Sequence, residues 1–140
     1  MNDLNAALHH YDLAMEQEPK EVAMRAKRGF LLNRMEKYDK ALIDYNFCIN
    51  KEPQNSDFFI ERADVYQKKG MVEVAKEDWK RAVLLGSQNP SVYYNLGIYH
   101  YRIQDYKLAK SYFTQATRRA PKVQQYQAML SHLEQLMNDG

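Results

Sequence analysis

Pro19, Pro53 and Pro121 mark the chain at a common interval: the gap between the last two is twice the gap between the first two. The missing member belongs at position 87, which is Ser87. A fixed period of this length is the signature of a repeat architecture, in which each unit is one supersecondary element that buries its apolar face against its neighbours. Written from Val22, Ser56 and Pro90, three equal blocks fall into register. Equivalent columns hold Gly29, Ala63 and Gly97; Ala41, Ala75 and Ala109; Tyr45, Trp79 and Phe113; Cys48, Ala82 and Ala116.

These columns predict a helical hairpin in each block. Small residues in both halves let two helix backbones approach closely. The large aromatic four residues after each alanine lies one turn further along the same face and fills the space beyond that contact. Met35-Glu36-Lys37, Gly70-Met71 and Gln104-Asp105 are the expected turns, and Gly70 suits a left-handed C-cap. The prolines end the second helices, because proline lacks a donor and disfavours helical geometry in the residue before it. The spacing predicts eight helices over 4–17, 22–34, 38–51, 56–69, 72–85, 90–103, 106–119 and 124–138. The first of them is a second-type helix with Leu4, Ala7, Tyr11 and Ala14 in the matching columns. The last carries one apolar stripe, Tyr126, Met129, Leu130, Leu133 and Met137, suited to capping the final repeat.

Taken together, the residues resemble the tetratricopeptide repeat family. The third block carries the resemblance best, through Tyr93, Leu96, Gly97, Tyr106, Ala109, Phe113, Ala116 and Pro121, with His100 where tyrosine is usual. The first block keeps Gly29, Leu32, Tyr38, Ala41, Tyr45 and Pro53 but has Arg25 and Arg28 where an aromatic and a leucine are usual. The second keeps Phe59, Ala63, Tyr66, Gly70, Ala75, Trp79 and Ala82 and departs at Arg62 and Ser87. The resemblance implies an all-α, right-handed superhelical solenoid of antiparallel hairpins. It reads as a single domain over 1–140: a partial repeat over 1–21, repeats over 22–55, 56–89 and 90–123, and a capping helix over 124–140.

In such a stack the first helices line the concave face. The residues expected there are Lys27, Phe30 and Arg34, then Ile60, Glu61 and Asp64, then Tyr94, Asn95, Ile98, Tyr101 and Arg102. They combine apolar area with charge and hydrogen-bonding groups, and exposed aromatics are favoured interface anchors. The expected function is a non-catalytic scaffold that takes a peptide or helical segment of a partner protein in this groove. Some family members clamp a C-terminal carboxylate; Asn95 matches one clamp position, but Ile60, Asp64, Gln125 and Met129 at the companion positions supply no cation, so no carboxylate clamp of this type is expected. The alternative reading is self-assembly through the first helix, whose Leu4, Leu8, Tyr11 and Met15 would form an open stripe.

Other classes find little support. Lys and Arg total 20 against 18 for Asp and Glu, a net +2 with interspersed signs, which gives no field that would by itself recruit nucleic acid or a membrane surface. A base-reading helical array is disfavoured by Asp57, Glu61 and Asp64 in mid-groove, which repel phosphate. No apolar run approaches the ~20 residues of a membrane span, and Met1-Asn2-Asp3 leads into a polar helix rather than a signal sequence. Cys48 is the single cysteine and occupies a small buried column, which predicts an inert thiol. His9, His10, His100 and His132 have no carboxylate or cysteine at ligand spacing, and no phosphate-binding glycine loop is present, so neither metal, cofactor nor catalysis is expected.

Overall fold

The computed structural model describes residues 2–18 and 20–139; Pro19, expected to end the first helix, lies outside them. Eight α-helices follow one another: α1 (Asn2–Gln17), α2 (Val22–Arg34), α3 (Tyr38–Lys51), α4 (Ser56–Lys68), α5 (Val72–Leu84), α6 (Pro90–Arg102), α7 (Tyr106–Arg119) and α8 (Gln124–Asp139). Each boundary falls within two residues of the expectation from the repeat period. No strand occurs among the described residues.

Caps and turns repeat with the same period. Glu21, Asn55 and Asn89, each one period from the next, accept a hydrogen bond from a backbone N–H two residues on, at 3.1, 3.1 and 3.0 Å. Each satisfies one of the donors that a helix start leaves unpaired. At the other end of these helices, Glu36, Gly70 and Gln104 adopt φ of 61°, 81° and 65°. In each case the following N–H reaches back five residues to a carbonyl, Lys37 to Leu32 at 2.8 Å, Met71 to Tyr66 at 2.8 Å and Asp105 to His100 at 2.9 Å. This is the Schellman closure, and only the second block fills its left-handed position with glycine.

The described helices cluster into two compact units, Met1–Asp78 and Trp79–Gly140. In the first, Leu32, Ala41, Tyr45 and Val65 form a buried cluster, with Leu8, Tyr38 and Leu42 packed against it. Gly29 supplies the expected notch: a Cβ there would stand 3.1 Å from Tyr45 Cζ. In the second unit Ala109, Phe113 and Leu133 form the cluster, and a Cβ on Gly97 would stand 2.6 Å from the Phe113 ring. Tyr93 is buried there, with its hydroxyl donating to the Ser87 carbonyl at 2.8 Å and Arg119 stacked 4.0 Å over its ring.

The arginines that break the family's apolar columns have a structural cause. Arg28 grips Asp44 with two bonds, Nε at 2.9 Å and Nη2 at 2.7 Å, and reaches Asp12 with Nη1 at 3.1 Å. Arg62 repeats the arrangement one period later: it holds Asp78 at 2.9 and 2.7 Å and Asn46 at 2.9 Å. Asp44 and Asp78 are buried, at 0% and 4% exposure, so each needs the bidentate partner that the guanidinium supplies. Both arginines are held above the ordinary arginine range, chiefly by these hydrogen bonds. In the third block the same two columns hold Leu96 and Tyr112, neither of them charged.

The ends differ from expectation in part. On α1 the stripe expected to be open is largely covered: Met15 is buried, while Leu4, Leu8 and Tyr11 are half-buried, because this face turns onto α2, where Arg28 also holds Asp12. The exposed large apolar residue of α1 is instead Leu13, at 46%. On α8, Leu133 is fully buried and Met129 and Leu130 pack beside it, whereas Met137, expected in the same stripe, stays exposed.

Candidate functional site

The eleven residues expected to line a groove divide between the two units and occupy distinct environments. In Met1–Asp78, α2 presents Lys27, Phe30 and Arg34 outward, and Phe30 is 54% exposed. On α4, Ile60, Glu61 and Asp64 are half-buried. Asp64 is already engaged: it accepts from Asn33 Nδ2 at 2.8 Å and pairs with Lys68 at 3.2 Å. Lys68 also reaches Asn33 Oδ1 at 3.4 Å, so this polar triad ties α2 to α4.

Glu61 sits differently. Among the described residues its buried Oε2 meets no hydrogen-bond donor, and the Tyr45 hydroxyl is likewise buried without a partner. Burial, and secondarily the charge of Asp57, pushes the Glu61 carboxyl up to about 7. The Tyr45 phenol is held well above its ordinary range by burial first and by the Glu61 charge second.

In Trp79–Gly140, Tyr94, Asn95, Ile98 and Tyr101 are half-buried and Arg102 is exposed. Tyr94 and Tyr101 are not free rings. The Tyr94 hydroxyl accepts from Gln125 Nε2 at 2.9 Å, and its ring lies 4.8 Å from Tyr126 and 5.8 Å from Phe113. The Tyr101 hydroxyl meets His132 Nε2 at 3.1 Å. Helix α8, whose Leu133 is buried against Ala109 and Phe113 of α7, also ties down the tyrosines of α6, and Ile98 packs against the same cluster. A common rule underlies this. Asn33 with Asp64 and Tyr101 with His132 occupy the same two columns, 31 residues apart, where one first helix meets the next. Phe30 stands in the column of Asp64 and His132, in the first block.

Several side chains of chemical interest are inert in this setting. Cys48 is buried, donates its S–H to the Val22 carbonyl at 3.5 Å, and has its thiol pushed up to about 12, mainly by burial. His100 stacks on Tyr112 with ring centroids 5.5 Å apart and lies 3.8 Å from Asp105. Sequence reasoning missed Asp44, Asp78 and His132. The first two had a legible signal, since an aspartate follows each misplaced arginine at the same distance along the chain. The third becomes visible only once the offset between successive first helices is known.

Residues 90–123, the bounds of the third block, match the tetratricopeptide repeat family model. That block is a tetratricopeptide repeat. The all-α fold of the chain is shared with solved structures. It is similar to MamA, at a TM-score of 0.84 and 13% identity over 98% of this chain and 80% of that one. It is also similar to YrrB, a tetratricopeptide repeat protein with an unusual peptide-binding site, at a TM-score of 0.80 and 21% identity over 93% and 66% of the two chains. The first such domain of Spaghetti (RPAP3), bound to the HSP90 peptide SRMEEVD, aligns at a TM-score of 0.73 and 21% identity over 84% and 93%. At these identities the likeness concerns the fold. No curated protein matches the sequence.

Proposed function

We propose that this tetratricopeptide repeat protein is a non-catalytic scaffold whose first-helix faces bind a peptide or helical segment of another protein. The observation that carries it is Phe30, a large aromatic ring more than half exposed on α2 between the exposed cations Lys27 and Arg34. Burying such a ring contributes about 1.5 to 3 kcal/mol, and aromatic anchors flanked by polar groups are what interface centres are made of. In the N-terminal unit the binding set is Lys27, Phe30 and Arg34, with Ile60, Glu61 and Asp64 on α4. In the C-terminal unit it is Asn95 and Arg102, with the exposed edges of Tyr94, Ile98 and Tyr101. Two solved relatives in fold have peptide sites by description, which supports a polypeptide as the occupant.

The anchor assignment rests on Phe30 rather than on the tyrosines, since truncating Tyr94 or Tyr101 would also remove its bond to α8. A displayed peptide library selected against the wild-type protein tests it. The selected peptides are expected to lose at least tenfold in affinity for Phe30→Ala, a cost of about 1.4 kcal/mol. Peptides that bind both proteins within a factor of about two, with helix content unchanged, would remove Phe30 from the site.

A further inference from the structure

Helix α7 carries a second surface. Lys107, Lys110, Ser111, Thr114, Gln115 and Arg118 line a shallow open groove of about 380 Å³ along it. They fall on the side of the helix opposite the buried Ala109, Phe113 and Ala116, since positions 3, 4, 7 and 11 apart share one face. Lys107, Lys110 and Arg118 are exposed, and none of them forms an ion pair among the described residues. From Trp79 to Val123 the chain has eight Lys and Arg residues and one carboxylate, Asp105. That carboxylate caps α7 by accepting from the Leu108 N–H at 3.3 Å.

The internal repeats act as a control on whether packing requires this charge. In the columns of Lys107, Lys110, Ser111 and Arg118 the first block has Asp39, Leu42, Ile43 and Asn50, and the second has Glu73, Lys76, Glu77 and Leu84. The same helix position therefore folds with either sign or with none. In the second block Lys76 lies 3.3 Å from Glu73 and 3.5 Å from Glu77, whereas the third block keeps the lysine and removes both acids.

We infer that this face of α7 is a docking surface for an acidic polypeptide segment, separate from the first-helix faces. Eleven residues of helix place Lys107 and Arg118 ~16 Å apart, the length of about five extended residues, so a segment with three carboxylates in that span meets all three cations. The Ser111 hydroxyl and Gln115 amide lie between them as further donors to carboxylate oxygens. Two other polyanions fit less well. No aromatic side chain lies in the groove, because Tyr112 is turned onto His100 and Phe113 is buried, so bases find nothing to stack on. Three cations also fall short of the roughly four to eight that hold a protein on an anionic bilayer.

The test titrates the intact protein, at low ionic strength, with a fluorescein-labelled peptide of six glutamates. Oligouridylate and phosphatidylserine vesicles serve as competing probes. Saturable peptide binding is expected, with amide shifts concentrated on α7. The Lys107→Glu, Lys110→Glu, Arg118→Glu triple variant should weaken binding at least tenfold; the single reversals Lys110→Glu in the groove and Lys40→Glu on α3, which change the net charge equally, should weaken it at least threefold and less than twofold respectively. Should the triple reversal lose helix by circular dichroism, glutamine at the same three positions is judged by the same criterion. Absence of saturable peptide binding, equal binding by the triple variant, or tighter capture of the RNA or the vesicles through these three side chains would overturn the inference.

Discussion

Glu61 sets burial against charge in one side chain. Its carboxyl is half-buried, one oxygen has no donor, and it titrates near 7 instead of at its ordinary 4.5. A carboxyl raised in the folded state contributes its stability below the unfolded value and loses it as pH rises through the folded one. Between about pH 4.5 and 7 the chain should therefore lose stability at this site. Glu61→Gln, which cannot ionise, should match wild type in thermal unfolding near pH 4 and exceed it at pH 8. The gain should be about 1 kcal/mol, discounted from the full shift because the group keeps contact with water. An identical difference at both pH values would mean that Glu61 is not the titrating group. The same residue was legible in the sequence as a first-helix position, but its desolvation was not, because that arises from the packing of α4 around it and from Asp57 one turn away.

At the scale of elements, the ties between helices are of two kinds, and only one follows the family pattern. Small-residue notches bring α2 onto α3 and α6 onto α7, as the alanine and glycine columns predict. Arg28 adds an ionic tie from α1 through α2 to α3 by joining Asp12 and Asp44. Asp44→Ala should cost about 2 to 3 kcal/mol in urea unfolding, less than a fully buried pair because Arg28 keeps Asp12. The exchange Arg28→Leu with Asp44→Tyr, which installs the pair found as Leu96 and Tyr112 in the third block, should return to within about 1 kcal/mol of wild type. A double variant no more stable than Asp44→Ala would show that the ionic pair is required by its local packing. Viewed column by column, Arg25, Arg28 and Arg62 look like erosion of the repeat. Viewed with Asp44 and Asp78, the acids they grip on the following helix, Arg28 and Arg62 are an alternative solution to the same contact.

For the whole molecule, the two units differ in charge: Met1–Asp78 has 15 Asp and Glu against 12 Lys and Arg, whereas Trp79–Gly140 has 3 against 8. The near-neutral total conceals that contrast, which is why composition alone pointed away from any charged surface. Repeat proteins also localise damage, since each repeat draws its stability from its own core and its neighbours. Gly97→Ala would drive a Cβ to 2.6 Å from the Phe113 ring and should cost about 1 to 3 kcal/mol despite the better helix propensity of alanine. Hydrogen exchange should then report lost protection in α6 and α7 with α2 and α3 unchanged. Equal loss across all four helices would mean that the chain opens as one cooperative block. The sequence by itself determined the period, the helices and the notches, because backbone geometry and close approach are local demands that recur in every block. Tertiary structure alone decided which first-helix residues remain available. Tyr94, Tyr101 and Asp64 face the same side as Phe30 by periodicity, but whether a side chain meets water or a neighbouring first helix depends on what lies 31 residues away.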